Sequence, residues 1–313
     1  MGCAKLYFIC RPRIDGSPAG MSSDPAFQTS FDGTHSTEPG KAGSALRVCA
    51  SKAWERENGE LKMPTGRVPA TGQIVNSPSP LGSHHIGNVI IKYTRRADSS
   101  GWLTVKLSKS DQRISLCEYT QVAVLRRDKD RTYFKIMDGY ISLGEIASLT
   151  NANAGRYLDI AGPAGAASVT VEYQGKPVEE ISKFKGKLKQ QWATLTFNTQ
   201  AALVTLNSVW NGSYSPIPPG SHIILAPDYS HQMISTAGYV AATPGMIGND
   251  VWFPIGINGT MQNSSRYIHV GHLSEGCVTV HELGKWTAIY NYLISHRVPG
   301  SVGKKVGHLI VKQ

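Results

Sequence analysis

Between residues 89 and 149 short apolar runs alternate with polar turns: Val89-Ile90-Ile91, Trp102-Leu103-Thr104-Val105, Gln121-Val122-Ala123-Val124-Leu125 and Tyr133-Phe134-Lys135-Ile136. Runs this short, rich in β-branched and aromatic residues and bounded by turn formers, predict strands rather than helices. The charged segment from Arg126 to Arg131 predicts a hairpin turn, and Asp138-Gly139 a further turn before Tyr140-Ile141-Ser142, so 121–146 reads as a β-meander. Strand alternation returns at 168–173, 193–197 and 202–206, and 306–311 supplies a last strand. A helical period occupies about 281–296, where Leu283, Trp286, Ile289, Tyr290, Leu293 and Ile294 share a face. Thr279 and Glu282 form a candidate capping box at its start, Arg297 suits its C-terminus, and Pro299-Gly300 stops it.

This pattern predicts a mainly β fold with one C-terminal helix, divided into an irregular N-terminal arm (1–44), a small β domain (45–149), a linker (150–167) and a second β-rich domain (168–313). The arm is rich in Gly, Ser, Pro, Asp and Thr without apolar periodicity, and the linker is rich in Asn, Ala and Gly. A composition with 17% charged residues, 32 Gly and 17 Pro agrees with many strands and turns. The formal net charge of +10 suits a polyanionic partner: nucleic acid, anionic lipid or anionic cell wall. No aromatic-basic motif or finger spacing supports nucleic acid.

No apolar run approaches the roughly 20 residues of a membrane span. The run from Leu6 to Cys10 is also too short for a secretory signal and is followed by Arg11 and Arg13. The expectation is a soluble protein made in the cytoplasm, with any export by another route. The five cysteines, Cys3, Cys10, Cys49, Cys117 and Cys277, are odd in number and scattered, fitting neither a disulfide framework nor paired metal ligands.

Candidate chemistry is concentrated in 266–280, which reads as strand, turn and strand. His269 near the end of one strand and Cys277 at the opening of the next have the order needed for a base and a thiol nucleophile. Gly276 allows close backbone approach and lets N–H groups aim at an oxyanion, while Ser274 can bond within the turn. Two plainer readings stand beside this one. A lone Cys is more often a small buried hydrophobe, and His269, His272, Cys277 and His281 are all zinc-competent, although without the paired short spacings of structural zinc motifs.

The run HVGHLSEGCVTV resembles the active-site signature of YkuD-type L,D-transpeptidases, a His followed by a loop and Ser-x-Gly-Cys, matched by His269, Ser274, Gly276 and Cys277. Upstream, 214–224 resembles the family's PxPxG strand and 250–255 the strand before the catalytic His, so the resemblance covers about 168–313. The short loop, the lead Arg266-Tyr267-Ile268-His269 and the lack of a signal peptide are similar to the branch delivered as type VI secretion effectors. Two positions depart from the wider family: Glu275 stands where a His precedes Gly-Cys, and Thr279 and Val280 where an Arg follows. Arg266 is the candidate replacement for that Arg. The His-first order disfavours NlpC/P60-type and papain-like enzymes, whose Cys comes first. The meander of 121–146 looks like small bacterial SH3-like barrels found beside cell-wall enzymes.

The resemblance implies an L,D-transpeptidase-like β-sandwich behind a small, wall-binding β domain, and a peptidoglycan-modifying cysteine acyltransferase acting on tetrapeptide stems. It implies Cys277 as nucleophile, His269 as base oriented by the Val270 carbonyl, and an oxyanion site at Gly276 and Cys277. Arg266, Tyr267, His272, Trp252, Tyr239 and His231 are the expected groove residues. Neither metal nor cofactor is expected. The implied partners are peptidoglycan stem peptides, a cognate immunity protein and secretion machinery, with a periplasm or cell wall as destination. The alternative from another class is a non-catalytic wall-binding protein with a vestigial site.

Overall fold

The computed structural model describes residues 89–182 and 185–313. The expected arm at 1–44 and the first part of the expected small β domain lie outside the described residues, as do Cys3, Cys10 and Cys49. The fold is mainly β with a C-terminal helix. The first sheet is built from β1 (Ile90–Thr94), β2 (Trp102–Leu107), β3 (Arg113–Cys117), β4 (Gln121–Arg127), β5 (Arg131–Ile136) and β6 (Ile146–Thr150). Helix α1 (Asn151–Tyr157) and β7 (Leu158–Asp159) follow, giving the seven-strand order β3-β2-β6-β5-β4-β1-β7. The meander is β4-β5-β6, all antiparallel. Its charged turn closes because the Asp128 carboxylate accepts from the N–H groups of Asp130 and Arg131, which holds that carboxyl below its ordinary range.

Two segments differ from the sequence reading. Tyr140-Ile141-Ser142 is a bend rather than a strand: Ser142 takes φ +49° and its carbonyl accepts from Glu145 N–H, which turns the chain back toward β6. Residues 150–167, read as a linker, hold α1 and β7. Thr150 Oγ1 caps α1 by accepting from Asn153 N–H, and Ala154 is buried beneath it.

The second sheet contains β8 (Ala167–Tyr173), β9 (Val178–Ser182), β10 (Gly186–Phe197), β11 (Gln200–Asn207), β12 (Gly220–Leu225), β13 (Phe253–Gly256), β14 (Tyr267–Val270), β15 (Val278–Val280) and β16 (Lys305–Lys312). Helix α2 (Ala237–Ala242) lies between β12 and β13 in the chain, and α3 (Trp286–Ile294) between β15 and β16. The order is β11-β15-β14-β13-β12-β16-β8-β10-β9. The 12-residue β10 pairs through its second half with both β8 and β11, and through its first half with β9. A sandwich was the expectation for 168–313; instead one sheet closes on itself through β10. Closure leaves few edges to pair with another chain.

Helix α3 begins at Trp286, later than the sequence period suggests, after a 3-10 turn at Leu283–Lys285. The expected capping box does not form. Thr279 belongs to β15, and the Glu282 carboxylate accepts from Leu203 N–H instead. The face of α3 is as the period predicts, with Trp286, Ile289, Tyr290, Leu293 and Ile294 buried.

The two sheets share a core: Trp102 and Cys117 of the first pack with Leu195, Phe253, Trp286 and Leu293 of the second. Polar contacts tie the same junction. Glu118 Oε2 accepts from Arg96 Nη1 at 3.0 Å and from the Tyr290 hydroxyl at 2.8 Å, while Arg297 Nη2 donates to the Glu118 carbonyl at 3.0 Å. Burial outweighs the nearby Arg297 charge and raises the Cys117 thiol. Gly248 N–H donates to the Ser99 carbonyl at 2.7 Å, and Gly248 adopts φ +72°, where a Cβ would fall against the Tyr290 ring.

Gly248→Ala therefore combines backbone strain with a steric clash and should cost about 3 kcal/mol or more. Gly144→Ala, at φ +85° with open space around it, carries strain alone and should cost about 1 kcal/mol. Urea unfolding midpoints compare the two; equal losses would show that Gly248 is not a packing constraint.

Candidate functional site

Strands β14 and β15 run parallel, with Ile268 opposite Val278, His269 opposite Thr279 and Val270 opposite Val280. Parallel neighbours ordinarily need a crossover of a dozen or more residues. Here 271–277 suffices, because strands of four and three residues leave only a short distance to cover. The return delivers Cys277 immediately before β15. Side chains alternate along a strand, so Cys277 and Thr279 share a face with Tyr267 and His269 of the adjacent strand. The register, rather than the sequence separation, juxtaposes the His and the Cys.

The return loop is anchored largely from other elements. Gly271 N–H donates to the Val280 carbonyl, and His272 N–H donates to the hydroxyl of Tyr239, in α2, at 3.3 Å. Ser274 exchanges two bonds with Ser208: its N–H donates to Ser208 Oγ at 3.0 Å and its carbonyl accepts from Ser208 N–H at 2.7 Å. Ser208 Oγ in turn donates to Gln190 Oε1, which also accepts from Thr205 Oγ1, and Gln190 Nε2 reaches the His272 carbonyl at 3.5 Å. Ser274 Oγ donates to the Cys277 carbonyl at 2.8 Å, closing the turn on itself. Gly276 takes φ +85°, and a Cβ there would stand 2.6 Å from the Ser215 carbonyl oxygen and 2.7 Å from Arg266 Nε. Only glycine fits.

The structure places Arg266 behind this turn. It is 9% exposed, its guanidinium lies 3.9 Å over the Tyr214 ring, and Nη2 donates to the Ser215 carbonyl at 3.5 Å. The segment around 214–222 is itself fixed, since the Ile217 carbonyl accepts from the Tyr173 hydroxyl and His222 bridges the Pro218 carbonyl and Asn258 N–H. Arg266 thus supports the wall against which Gly276 packs.

His269 is 8% exposed. Its Nδ1 lies 3.0 Å from the Val270 carbonyl, which can only accept, so Nδ1 carries the hydrogen and Nε2 is left as an acceptor. Nε2 lies 3.1 Å from Thr279 Oγ1, which donates to it. Burial lowers the His269 pKa to about 4, against the opposing effect of the Val270 bond. The imidazole is therefore neutral at pH 7 with a basic nitrogen on the face it shares with Cys277. Both described cysteines, Cys117 and Cys277, are buried and outside any disulfide.

An aromatic stack backs the imidazole. Trp252 lies on His269 at 4.1 Å and 14°, His231 on Trp252 at 4.3 Å and 8°, and Tyr229 on His231 at 4.2 Å and 29°. Tyr267 meets the edges of His231 and Trp252, and its hydroxyl accepts from Asn263 Nδ2; burial raises its pKa. His231 Nε2 stands 3.6 Å from Asp228 Oδ1, beyond hydrogen-bond reach. On the other side of the loop His272 meets Tyr239 edge-on and lies 4.5 Å from His281, whose ring meets Trp192 at 4.8 Å. Burial lowers both imidazoles; the His281 charge adds to this at His272, and Glu180 opposes it at His281.

All the sequence-derived residues accordingly fall around one place, but they divide by position. Val270, Ser274 and Gly276 shape the backbone around His269 and Cys277, Arg266 braces the turn, and Trp252 and His231 stack behind the imidazole. Tyr239 and His272 flank the return loop. Sequence reasoning missed Thr279, Ser208 and Gln190. Thr279 was accessible from two-residue alternation after Cys277. Gln190 carried no local signal, standing on β10 more than 80 residues away. Among the described residues no three His, Cys, Asp or Glu side chains converge as metal ligands; His269 is committed to Val270 and Thr279. Comparison with family models, with curated proteins and with solved structures found no match to this chain.

The depressed pKa of His269 has a stability consequence. Below the unfolded value of 6.5 the unfolded chain takes up a proton that folded His269 refuses until about pH 4, so folding weakens as pH falls through that window. The difference between wild type and His269→Asn should narrow by up to about 3 kcal/mol between pH 7 and pH 4, read from urea midpoints; a constant difference would place His269 in water. Gln190→Leu should free the return loop, with hydrogen exchange at Ser274 N–H accelerated about tenfold or more, corresponding to the roughly 1–3 kcal/mol of losing buried partners. Unchanged exchange there would show that Gln190 does not anchor the loop.

Proposed function

We propose that the protein is a cysteine acyltransferase of the L,D-transpeptidase type that modifies tetrapeptide stems of peptidoglycan, with its second β domain in the role of the family's catalytic domain and the first sheet as an SH3-like companion. The observation that carries the reading is the parallel register of β14 and β15, which sets a neutral His269 with an accepting Nε2 on one face with Cys277. The resemblance of HVGHLSEGCVTV supplies the reaction class.

In the proposed first step Nε2 of His269 takes the Cys277 thiol proton, with the Thr279 hydroxyl moving off that nitrogen. The thiolate attacks the carbonyl of the diamino acid that precedes the terminal D-Ala. A C–S bond forms, the amide C–N bond breaks, and D-Ala leaves with the proton held on His269. The Gly276 and Cys277 N–H groups stabilise the intermediate oxyanion, a contribution of about 3 kcal/mol per donor in acyl-transfer sites. An acceptor amine then attacks the thioester, giving a cross-link or an exchanged D-amino acid and regenerating the thiol; water in its place gives the L,D-carboxypeptidase product. Trp252 stacked on the ring favours the imidazolium as it forms. Delivery as a type VI effector, with secretion machinery and a cognate immunity protein as partners, belongs to the same proposal and rests on the short catalytic loop and its Arg-Tyr-Ile-His lead.

Mass spectrometry of tetrapeptide muropeptides incubated with wild type, Cys277→Ala and His269→Ala, with and without added D-amino acid, tests the reading. Loss or exchange of terminal D-Ala by wild type, abolished in Cys277→Ala and reduced at least about 100-fold in His269→Ala, is the expected result. Unchanged stems with wild type would overturn it in favour of a wall-binding protein with an inert Cys277.

A further inference from the structure

Proton transfer to His269 requires the Thr279 hydroxyl hydrogen to leave Nε2, since a neutral imidazole nitrogen has one lone pair. The sheet offers that hydrogen a second acceptor. Thr279 stands between two strands, with His269 of β14 on one side and Thr205 of β11 directly opposite on the other. Paired positions on neighbouring strands share a face, so the three side chains lie in one row across the sheet. Both threonines are fully buried, and Gln190 nearly so. Thr279 Oγ1 donates to His269 Nε2 at 3.1 Å. Thr205 Oγ1 gives its one hydrogen to Gln190 Oε1 at 2.8 Å in preference to the Asn207 carbonyl at 3.5 Å, which leaves its lone pairs as acceptors.

An imidazolium at His269 is costly, because burial and the nearby His231 both oppose the charge. Its Nδ1–H stays on the Val270 carbonyl, and the new Nε2–H needs an acceptor of its own. Thr279 Oγ1 is already in place for that role. The Thr279 side chain is stiff at χ1, and its methyl is packed where a Cβ on Gly271 would stand 3.1 Å away. Its hydroxyl hydrogen alone can turn, by rotation about the C–O bond, from His269 toward Thr205. The donors then run in one direction: His269 Nε2–H to Thr279, Thr279 to Thr205, and Thr205 to Gln190. An aligned chain strengthens each of its bonds, and the bond to the ionised ring is of the stronger, charge-assisted kind.

We propose that Thr279 and Thr205 are positioning residues that form a two-hydroxyl switch, donating to neutral His269 at rest and accepting from its imidazolium when the ring takes the Cys277 proton. Each hydroxyl keeps its own hydrogen. Only the thiol proton changes atoms, from Sγ of Cys277 to Nε2 of His269, leaving a thiolate. Through Gln190, whose Nε2 reaches the His272 carbonyl, the far end of the chain is tied to the return loop. The switch rests on the base and nucleophile of the acyltransferase reading; it does not depend on the acyl donor.

Alkylation of Cys277 by iodoacetamide, followed on the full chain by mass spectrometry of the modified peptide from about pH 6 to about pH 10, tests the switch without an acyl donor. Wild type should show a His269-dependent rate below the ordinary thiol range, about 8.5. Thr279→Val and Thr205→Val should each lower that rate at least about fivefold. At the alkaline end, where a thiol ionises unaided, all three should converge, which a misfolded site would not do. Thr279→Ser and Thr205→Ser, keeping the hydroxyls, should recover most of the neutral-pH rate. Thr205→Val is the deciding variant, because it leaves the bond from Thr279 to His269 in place, and it decides alone should Thr279→Val not fold. A wild-type rate in Thr205→Val would make Thr279 a fixed prop and overturn the switch. Faster alkylation in Thr279→Val, or a neutral-pH rate unchanged by His269→Ala, would overturn it as well. The expected profile with muropeptides left unchanged would keep the switch and sink the acyltransferase; muropeptide turnover with both Val variants alkylating like wild type would do the reverse.

Discussion

The site depends on a parallel pair of very short strands. Because β14 and β15 run the same way, the chain must double back between Val270 and Val278, and that return puts Cys277 diagonal to His269. An antiparallel hairpin of the same length would leave a different residue opposite the imidazole. The arrangement has a cost, since a seven-residue return has little regular hydrogen bonding of its own, and buried N–H and C=O groups must find partners. Ser208 just after β11, Gln190 of β10 and the Tyr239 hydroxyl of α2 supply them. Closure of the second sheet through the β10–β11 pairing brings Gln190 and Ser208 together beneath the loop, so barrel closure and site geometry are one constraint.

The imidazole shows the same logic at the level of one ring. The Val270 carbonyl fixes the tautomer, burial keeps the ring neutral, and Trp252 packs flat on one face. The orientation that a carboxylate often provides to a catalytic His comes here from the backbone and an aromatic stack. A backbone carbonyl adds no charge, which leaves burial as the larger effect on the pKa.

The first sheet is more than an appendage. Trp102 and Cys117 join the second sheet's core, Glu118 collects Arg96 and Tyr290, and the Ser99 carbonyl receives Gly248. The Gly248–Ser99 bond and the Trp102 Nε1 bond to the Asp250 carbonyl hold the 248–252 segment, from which Trp252 reaches the imidazole. The first sheet therefore positions part of the site without touching the Cys277 turn.

The strands of the meander, the β8, β10, β11 and β16 runs, and the buried face of α3 were legible in the sequence, because alternation and helical period record which side chains face a core. The strand-turn-strand unit that carries His269 and Cys277 was legible in the sequence, and Gly276 as a position of close backbone approach. The helix start was not, because Thr279 and Glu282 were taken up by β15 and by Leu203 rather than by a cap. The fold of 150–167 was hidden by its Asn, Ala and Gly, since Thr150 and the buried Ala154 act only against a sheet. Gln190, Ser208 and the bracing of the Gly276 turn by Arg266 were decided by tertiary structure alone. Periodicity and motif are local along the chain, whereas register, closure and the satisfaction of buried polar groups join residues 172 positions apart, as at Glu118 and Tyr290, and have no local signature.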